Sequence, residues 1–530
     1  MAQAVGGALT RTLRRHEQRI VLLAAALVLF VAALLPLVWL FGELPAAGRA
    51  AFALLGTSRL WLLLLRSLLL SAAVTAVSLG IGIPLGLLIG RMDVPGRRLL
   101  WVIHGFGMFL PPFVLALGWF HLLGRTGLVG NEMTAAALFS EMGLIAVLGL
   151  TFAPIITSLV ALGAMGVDAS LEEAARVVAR PWRVATRILV PAAWPAVALG
   201  AIIVYALALS ELGVPMFLRV DVFPAAVFAR LGGVDYAPGE AFALALPVVP
   251  VAVGLLWLER RFAGRRSFAV LGLRGAAREP LPLGRFRGAV SVAAWLVALL
   301  SAAPIVALSL RAGAGVEVGA VLQWAGQAPL NSILAASLAA SSIALLGLLI
   351  GHAVARKLAG AWALDSLAVL SFVMPSAVLG VGLIAVWNRQ GVEGIYGSLA
   401  IVVIGFIARY AIVGVRVMAS VVTQSPVSFE EAAASFGAGF SRRLLRLVLP
   451  LHARGMGFAW LLAMVFCLRD VETVVLFYPP GREPLTVRIF TLEANGPPGI
   501  VAGLGLLHVV ITAAVLAAGG ALLFARRRVT

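Results

Sequence analysis

Apolar residues occur along the chain in long runs, separated by short polar segments that are rich in arginine. A run of about 20 apolar residues is long enough for a helix to cross the hydrocarbon core of a membrane. The pattern therefore predicts an all-α polytopic membrane protein with twelve transmembrane helices. The predicted spans are 20–41, 62–90, 99–123, 142–166, 192–218, 240–258, 288–310, 331–355, 364–387, 397–421, 455–479 and 499–525.

The twelve spans fall into two sets of six. An arginine-rich segment with two prolines separates them, which predicts a first repeat at 1–262, a cytoplasmic linker at 263–287 and a second repeat at 288–530. The first span follows several arginines, as a signal peptide would. Its apolar run of about 22 residues exceeds the roughly 7–15 of a signal sequence, so we expect an uncleaved helix.

Two stretches recur in the same order in both sets. Residues 66–91 resemble 331–356, and residues 170–175 recur as 428–433. The second pair lies between the fourth and fifth span of each set, which defines the first repeated loop (170–191) and the second repeated loop (428–450). A parallel duplication of six spans explains both matches, since an even number of spans returns the chain to the same side.

Composition agrees with a membrane protein: 62% of residues are hydrophobic and 12% are charged, against about half and a quarter in soluble domains. The single cysteine, Cys467, excludes a disulfide framework or a cysteine metal cluster. The net charge of +18 would suit a nucleic-acid-binding protein if the arginines formed one surface. They lie between the spans instead.

The positions of the basic residues predict the topology. Alternate segments, beginning with the N-terminus, hold 28 lysines and arginines, the other segments hold 10, and three lie within spans. Short loops that are rich in basic residues stay in the cytoplasm. Both termini and both repeated loops are therefore expected on the cytoplasmic side of a bacterial inner membrane.

Each repeated loop begins with a serine that is followed three residues later by a glutamate, Ser170 with Glu173 and Ser428 with Glu431. This spacing is typical of a capping box at a helix start, and the alanines that follow favour a helix. A well-capped surface helix is the plain structural interpretation of each loop. It is compatible with a docking role.

The second repeated loop resembles the "EAA" loop of bacterial ATP-binding-cassette (ABC) importer permeases: Glu431, Ala432 and Ala433, with Gly437 and Pro450 at the family spacing. The resemblance implies a helix that docks on the ATPase subunit. It also implies two copies of a cytoplasmic ATPase, a periplasmic solute-binding protein, alternating access between the two halves, and ATP–Mg bound by the partner with no cofactor in this chain.

By the same resemblance the docking role extends to Glu173, Ala174 and Ala175 in the first repeated loop. This copy departs from the family pattern, because it is one residue shorter and has Pro181 where the second copy passes through its glycine. Its docking geometry is therefore left open.

Within that superfamily the chain looks most like fused ferric-iron-type permeases, to which thiamine and phosphonate permeases are similar. The stretches that carry this likeness are 93–98, 210–215, 469–472 and 485–489. They match a subfamily and identify no substrate-binding residue. Ferric iron is the expected solute, with thiamine or phosphonate as the alternatives.

The chain has no phosphate-binding loop of the Gly-x-x-x-x-Gly-Lys-Ser/Thr type, since its one lysine, Lys357, has no such surroundings. We therefore expect a transport subunit that does not hydrolyse ATP itself. The histidines show no metal-ligand spacing, and no metal site is expected among them: His16, His104, His121, His352, His452 and His508.

Five charged residues within or near spans are candidates for the path or gate, because charge in a membrane normally faces a cavity or a partner. Arg409 and Arg416 are about two helical turns apart and share one face. They suit the path, a carboxylate partner or, as we favour, contact with the first half. Glu211, Asp470 and Glu472 suit a passing cation or, as we favour, ion pairs at the outer gate.

An ion-gradient-driven transporter of the major facilitator type is the rival of another class, since it too has six plus six spans. Residues 93–98 partly match the Asp/Gly/Arg signature of that family, but residues 355–358 do not repeat it. Two Glu-Ala-Ala loops are not a feature that such a transporter requires. A channel is a further alternative, although no filter-like sequence is present.

Overall fold

The computed structural model describes residues 17–43, 53, 55–167, 169–232, 238–262, 279–313 and 315–524. Within these residues the regular structure is helical, and the β contacts reduce to one isolated bridge between Met92 and Leu281. The predicted all-α polytopic fold class is confirmed. Residues 263–278 of the predicted linker, with the arginines nearest each terminus, lie outside the described residues.

The first half contains twelve helices within the described residues. They are α1 Glu17–Gly42, α2 Ser58–Arg91, α3 Arg97–Phe109, α4 Pro112–Leu123, α5 Glu132–Leu138, α6 Glu141–Met165, α7 Ala169–Val178, α8 Pro181–Ser210, α9 Gly213–Phe217, α10 Phe223–Gly232, α11 Pro238–Ala245 and α12 Val248–Phe262.

The second half has a closely similar order. Its helices, again within the described residues, are α13 Gly284–Gly313, α14 Val318–Ala325, α15 Ala328–Ala355, α16 Ala361–Val373, α17 Ser376–Trp387, α18 Glu393–Tyr396, α19 Leu399–Thr423, α20 Ser428–Ser435, α21 Phe440–Leu451, α22 Ala453–Arg469, α23 Leu485–Glu493 and α24 Pro498–Leu523.

Eight of these helices are long and apolar enough to cross a membrane, and up to eleven if each bent pair is one span. The bends are 109° between α3 and α4, 107° between α16 and α17, and 80° between α21 and α22. Residues 99–123 and 364–387, each predicted as one span, are therefore each built from two helices that meet at a sharp bend. Each of these two breaks contains a proline, Pro111 or Pro375. Proline disfavours the helical conformation in the residue that precedes it, so the first helix ends there.

The predicted sixth span, 240–258, also differs, because it is divided into α11 and α12 with a turn at residues 246–247. Pro247 lies in that turn, where a proline lacks the amide that a continuous helix would use. Neither piece reaches the length of a span, which is why at most eleven are found where twelve were predicted.

Each half is built around its long second span. In the first half α2 packs along α6 and α8, and in the second α15 packs along α19 and α22. Glycines allow the close approach: a Cβ on Gly86 would lie 2.7 Å from the Thr157 carbonyl oxygen, and one on Gly347 would lie 2.6 Å from that of Gly414. The duplication seen in the sequence is thus also a duplication of helix packing.

The first span of each half packs against the bent pair of the other half. Helix α1 contacts α17, and α13 contacts α3 and α4. A Cβ added to Gly382 would lie 2.7 Å from the Pro36 carbonyl oxygen, and one on Gly118 would lie 2.3 Å from that of Pro304. The two halves are therefore interlocked by an exchange of α1 and α13.

Candidate functional site: two repeated loops and a central charged cluster

Helices α7 and α20 carry the repeated loops. Each follows a long buried span, α6 or α19, and leads to a helix that contains a wide π-helical turn, Ala185–Leu189 or Leu444–Val448. The turn ends two residues before Pro191 in one copy and before Pro450 in the other. A proline clashes with the carbonyl group four residues earlier, which favours such a local widening.

The first repeated loop is held by the buried Glu172. Its carboxylate accepts hydrogen bonds from Arg91, the last residue of α2, and from Arg176 at 2.7 Å. Arg176 also donates to the Glu279 carbonyl oxygen at 2.7 Å, which ties the loop to the end of the linker. Burial opposes ionisation, but the two guanidinium groups lower the pKa of Glu172 below its usual value.

The second repeated loop is held in the same way by Glu430. Its carboxylate lies 2.8 Å from His352 Nε2 and 2.7 Å from Arg356 Nε, at the end of α15. Arg356 also donates to the backbone oxygen of Ser425 at 3.1 Å and to its hydroxyl at 3.0 Å. Burial again opposes ionisation, and the bonds from His352 and Arg356 lower the pKa of Glu430 to about 2.

Glu172 and Glu430 occupy equivalent positions, as do Arg91 and Arg356. Each loop is thereby joined to the second span of its own half by an ion pair. Sequence reasoning singled out the second glutamate of each doublet and missed the first. The available signal was that both copies of the repeated stretch end in an arginine and both loops contain two glutamates.

The second glutamates, Glu173 and Glu431, are exposed, and so are Ala174 and Ala432. The next alanine in each loop is less exposed: Ala175 is buried in the core of the first half, and Ala433 is half-buried. The Ala175 side chain is therefore placed for packing and not for direct contact with a partner, which corrects its predicted docking role.

Apolar side chains at matching positions flank the exposed glutamates. Leu171 and Phe429 are 52% and 51% exposed, and Val178 and Phe436 are 85% and 92% exposed. Each pair is separated by 258 residues, the spacing of the repeat. Large apolar groups that are this exposed outside the membrane spans mark a protein-binding surface.

The loop ends differ as the sequence indicated. Gly437 has φ +89°, a left-handed conformation that suits glycine at the end of α20. In the first loop Arg180 is extended and Pro181 begins α8. The capping box predicted at Ser428 is wrong, because Val427 is the N-cap of α20 and makes no side-chain cap bond, so Ser428 already lies inside the helix.

A central charged cluster (Glu211, Arg409, Arg469, Asp470 and Glu472) lies around the far ends of α8 and α22, with Arg409 contributed by α19, and contacts both bent pairs. Asp470 is 1% exposed and accepts hydrogen bonds from the Tyr410 hydroxyl at 2.8 Å and the Thr473 hydroxyl at 2.7 Å. Its charge is therefore fully satisfied within the second half.

Glu211 and Glu472 bring the two halves together. Glu211 is buried, Glu472 is partly buried, and their carboxyl groups lie within hydrogen-bonding distance of each other. Glu211 also accepts a bond from the Val214 amide at 3.2 Å. The carboxyl pair closes a contact between the segments that follow α8 and α22.

Arg469 and Arg409 bind the bends of the two broken spans. Arg469 donates to the Met108 carbonyl oxygen and Arg409 to that of Met374, each of which lies close to the break in its bent pair. Arg469 belongs to the second half and Met108 to the first, so this bond crosses between the halves. Carbonyl groups that a helix break leaves without an intrahelical partner are thus satisfied by charge.

Arg416 lies at the interface of the two halves. Its guanidinium is 2.7 Å from the Glu259 carboxylate of α12 and 3.4 Å from that of Asp365 in α16. Arg260 joins the same network at 2.6 Å from Asp365. Arg416 and Arg409 therefore have separate partners. Among the described residues no group of three or more histidine, cysteine or carboxylate side chains has the arrangement of a metal site.

Comparison with known proteins identifies the kind of chain that carries these features. Residues 82–268 match the family described as binding-protein-dependent transport system inner membrane component. A ferric transport system permease protein of Actinobacillus pleuropneumoniae is 25% identical over 482 residues, which covers 85% of this chain and 69% of that protein.

Two further relatives align with about two fifths of the chain. A molybdenum transport system permease protein of Escherichia coli is 27% identical over 217 residues, 38% of this chain and 93% of that protein. A proposed 2-aminoethylphosphonate transport system permease protein of Salmonella choleraesuis is 28% identical over 216 residues, 38% of this chain and 75% of that protein. All three relatives are described as permease proteins of transport systems.

Proposed function

The chain belongs to the inner-membrane permeases of binding-protein-dependent ABC transport systems, and we propose that it forms the whole translocation unit of an importer for ferric iron. The length of the match supports this. Similarity to the ferric permease covers 85% of the chain, whereas the molybdenum and aminoethylphosphonate permeases each cover 38%. A chain that contains two similar halves, each with one repeated loop, supplies two docking loops by itself.

The proposed energy source is a pair of cytoplasmic ATPase subunits, one on each repeated loop. The exposed Glu173 and Glu431 would each meet a basic residue of the ATPase. The apolar side chains beside them, above all the 92% exposed Phe436, would enter its groove. The buried pairs Glu172–Arg91 and Glu430–Arg356 would transmit the loop motion to α2 and α15, because each pair is the rigid link between loop and span.

The proposed topology places both loops and both termini in the cytoplasm, as the basic residues predict. A periplasmic binding protein would then deliver solute to the opposite mouth. Alternating access would open and close the central charged cluster, where Glu211 meets Glu472 and Arg469 meets the Met108 carbonyl group. These contacts cross between the halves, so separating the halves must break them.

The buried carboxyl groups at this point favour a cation over an oxyanion as the solute. Glu211 and Asp470 are buried and Glu472 is partly buried, and an anion such as molybdate would have to pass these three acidic side chains. Against this, Arg409 and Arg469 carry the opposite charge, so an oxyanion importer is the second candidate that the molybdenum relative supports. Thiamine and phosphonate, which the sequence resemblance gave as alternatives, remain the other candidate solutes.

Binding and uptake measurements separate these solutes. The partner binding protein, titrated with ferric iron, molybdate, thiamine and 2-aminoethylphosphonate, should bind ferric iron selectively. Vesicles that contain the permease, its ATPase and that binding protein should accumulate labelled iron when ATP is supplied inside. Selective binding of any of the other three ligands would overturn the iron assignment and leave the permease class intact.

The docking role is tested by charge reversal at both exposed glutamates. The double variant Glu173→Arg, Glu431→Arg should abolish uptake and should no longer copurify with the ATPase. The protein should still insert and fold, because neither side chain is buried. The matched control is the double variant Glu317→Arg, Glu393→Arg. Both glutamates are exposed, and both lie in segments at the end of the spans opposite to the repeated loops. Normal ATPase assembly by the first double variant would contradict the docking role.

A further inference from the structure

A large cavity lies between α2, α8 and α13 in the first half. Its volume is about 1160 Å³, several times the roughly 150 Å³ that holds one benzene in a protein core. Its walls are mostly apolar, with Leu85 and Leu88 of α2 facing Val290 and Val297 of α13. Pro84, which also lines it, is exposed, so the cavity opens on the outer surface of the spans.

Three arginines surround one end of this cavity. Arg180 and Arg183 lie at the start of α8, and Arg285 lies at the start of α13. Within the described residues none of the three guanidinium groups has an ion-pair or side-chain hydrogen-bond partner, and Arg285 contacts only the ring of Phe286, at 4.8 Å. In the part of the chain that the structure describes, these three positive charges therefore lie beside an apolar space without an ion-pair partner.

In the second half a carboxylate of the protein itself occupies the space equivalent to this end of the cavity. Glu17 of α1 accepts hydrogen bonds from the backbone amides of Phe440 at 2.8 Å and Ser441 at 3.1 Å, where α21 begins. Val21, one turn further along α1, packs with Phe440 in the same apolar cluster. This junction is therefore filled by both a negative charge and an apolar side chain of the protein itself.

The first half cannot form that closure. Pro36 and Pro304 occupy matching positions in the exchanged spans α1 and α13, and Glu17 and Arg285 each lie nineteen residues before that proline. The residue equivalent to Phe440 is Pro181, which has no amide hydrogen to donate. At the position of the carboxylate the first half thus has a cation, beside two more cations.

We propose that this cavity binds an anionic phospholipid, with the phosphate among Arg180, Arg183 and Arg285 and an acyl chain between α2 and α13. The shape and charge of the space carry the assignment: apolar walls open to the side of the spans, with basic residues only at one end. Basic pockets between spanning helices are suited to anionic headgroups. Trp182, 67% exposed at the same end, has the amphipathic ring typical of the membrane interface.

Native mass spectrometry of the full-length chain in detergent tests the proposal, with phosphatidylglycerol and phosphatidylethanolamine of matched acyl chains as probes. Phosphatidylglycerol should bind at least about ten-fold more tightly, since each basic residue near the headgroup adds attraction. The triple variant Arg180→Gln, Arg183→Gln, Arg285→Gln should remove this preference. Equal binding of the two lipids to the unmodified chain would overturn the proposal.

Two further variants protect the test against effects on folding. Arg442→Gln with Arg446→Gln changes exposed arginines in the matching region of the second half and should retain the preference for phosphatidylglycerol. Ala293→Trp fills the apolar part of the cavity without altering any charge, and should also reduce phosphatidylglycerol binding at least about five-fold. Unchanged binding by Ala293→Trp would show that the lipid lies elsewhere and would overturn the proposal.

Discussion

The two repeated loops fix a buried glutamate in the same place but surround it with different side chains. In the first, Glu172 is paired with two arginines. In the second, Glu430 is paired with one arginine and with His352. The first loop is therefore held by two guanidinium groups, and the second by one guanidinium group and one imidazole ring.

The helices that follow the loops differ as well. In the first half α8 runs unbroken from Pro181 to Ser210, whereas in the second the chain bends by 80° between α21 and α22 at His452. His452 Nε2 lies 3.1 Å from the Ser425 hydroxyl, which also accepts a bond from Arg356. The second loop is thus connected to a bend and the first to a continuous helix, so equal motions of the two loops should not move the two halves equally.

The largest effect is expected from changing the length of each loop. Deleting Gly437 removes the left-handed residue from the turn between α20 and α21, and so changes the direction in which α21 leaves α20. We expect ATP hydrolysis to continue without uptake. Inserting a glycine between Val178 and Ala179 gives the first loop the length of the second and should leave partial uptake, since Pro181 still starts α8.

Uptake and hydrolysis measured together in vesicles with the ATPase check this pair of variants. Full uptake after the Gly437 deletion would show that the turn is only a connection. A Gly437→Ala variant serves as the control for the conformation alone, because it keeps the length and costs only about 1 kcal/mol for a left-handed alanine.

A smaller effect, on stability, is expected when the arginine of each buried pair is removed. Arg356→Met and Arg91→Met should each cost on the order of 3 kcal/mol, because a buried carboxylate loses one of its two side-chain partners. The Arg356 variant should lose more, since that side chain also makes two bonds to Ser425, whereas Glu172 keeps Arg176. Thermal unfolding in detergent measures both.

Exposed basic residues next to each arginine provide the controls. Lys357→Met and Arg98→Met remove a positive charge near the same helix ends without touching a buried glutamate, and should change the melting temperature little. If Arg91→Met proved more damaging than Arg356→Met, the additional bonds to Ser425 would not stabilise the second loop.

The sequence predicted the two loops but not which side chain of each would be buried. Repetition at a fixed spacing identified both helices and both Glu-Glu doublets. The rotation of a short helix about its axis depends on what it packs against, so Glu172 and Glu173 could not be assigned to opposite faces. The ion pair with Arg91 links residues 81 apart, a contact that local pattern does not encode.

The helix breaks and the exchange of α1 and α13 between the halves could likewise not be predicted from the sequence. The proline signals at Pro111, Pro375 and Pro247 were present in the sequence but lie inside apolar runs, so hydropathy joined pieces that the structure separates. The exchange of α1 and α13 had no signal at all, because an apolar helix is equally compatible with either half. Only the facing glycine and proline pairs specify it.

Acid should weaken the second loop in a defined range. Because the folded pKa of Glu430 is lowered to about 2, its ionised form stabilises the protein fully above the usual value of 4.5, and this contribution is lost as pH falls from 4.5 towards 2. Glu430→Gln lacks the contribution at every pH. The melting temperatures of the two proteins should therefore differ most at about pH 6, differ less at about pH 3, and converge only near the folded pKa of about 2.

Glu172→Gln is the comparison for the first loop, whose glutamate also has a lowered pKa. The difference in melting temperature between Glu172→Gln and the unmodified protein should also become smaller as the pH falls. A difference that widens as pH falls, for either variant, would contradict the lowered pKa of that glutamate.

The smallest effect distinguishes the two exchanged spans. A methyl group at Gly118 would lie 2.3 Å from the Pro304 carbonyl oxygen, and one at Gly382 would lie 2.7 Å from that of Pro36. Because backbone atoms cannot rotate away, Gly118→Ala and Gly382→Ala must push α13 or α1 outward at a cost of about 1–3 kcal/mol, with Gly118→Ala the larger. Gly254→Ala, which meets no atom within 4 Å, should instead be neutral or slightly stabilising. Melting temperatures of the three variants in one detergent measure the order, and equal losses at Gly118 and Gly382 would mean that both exchanged spans relax freely.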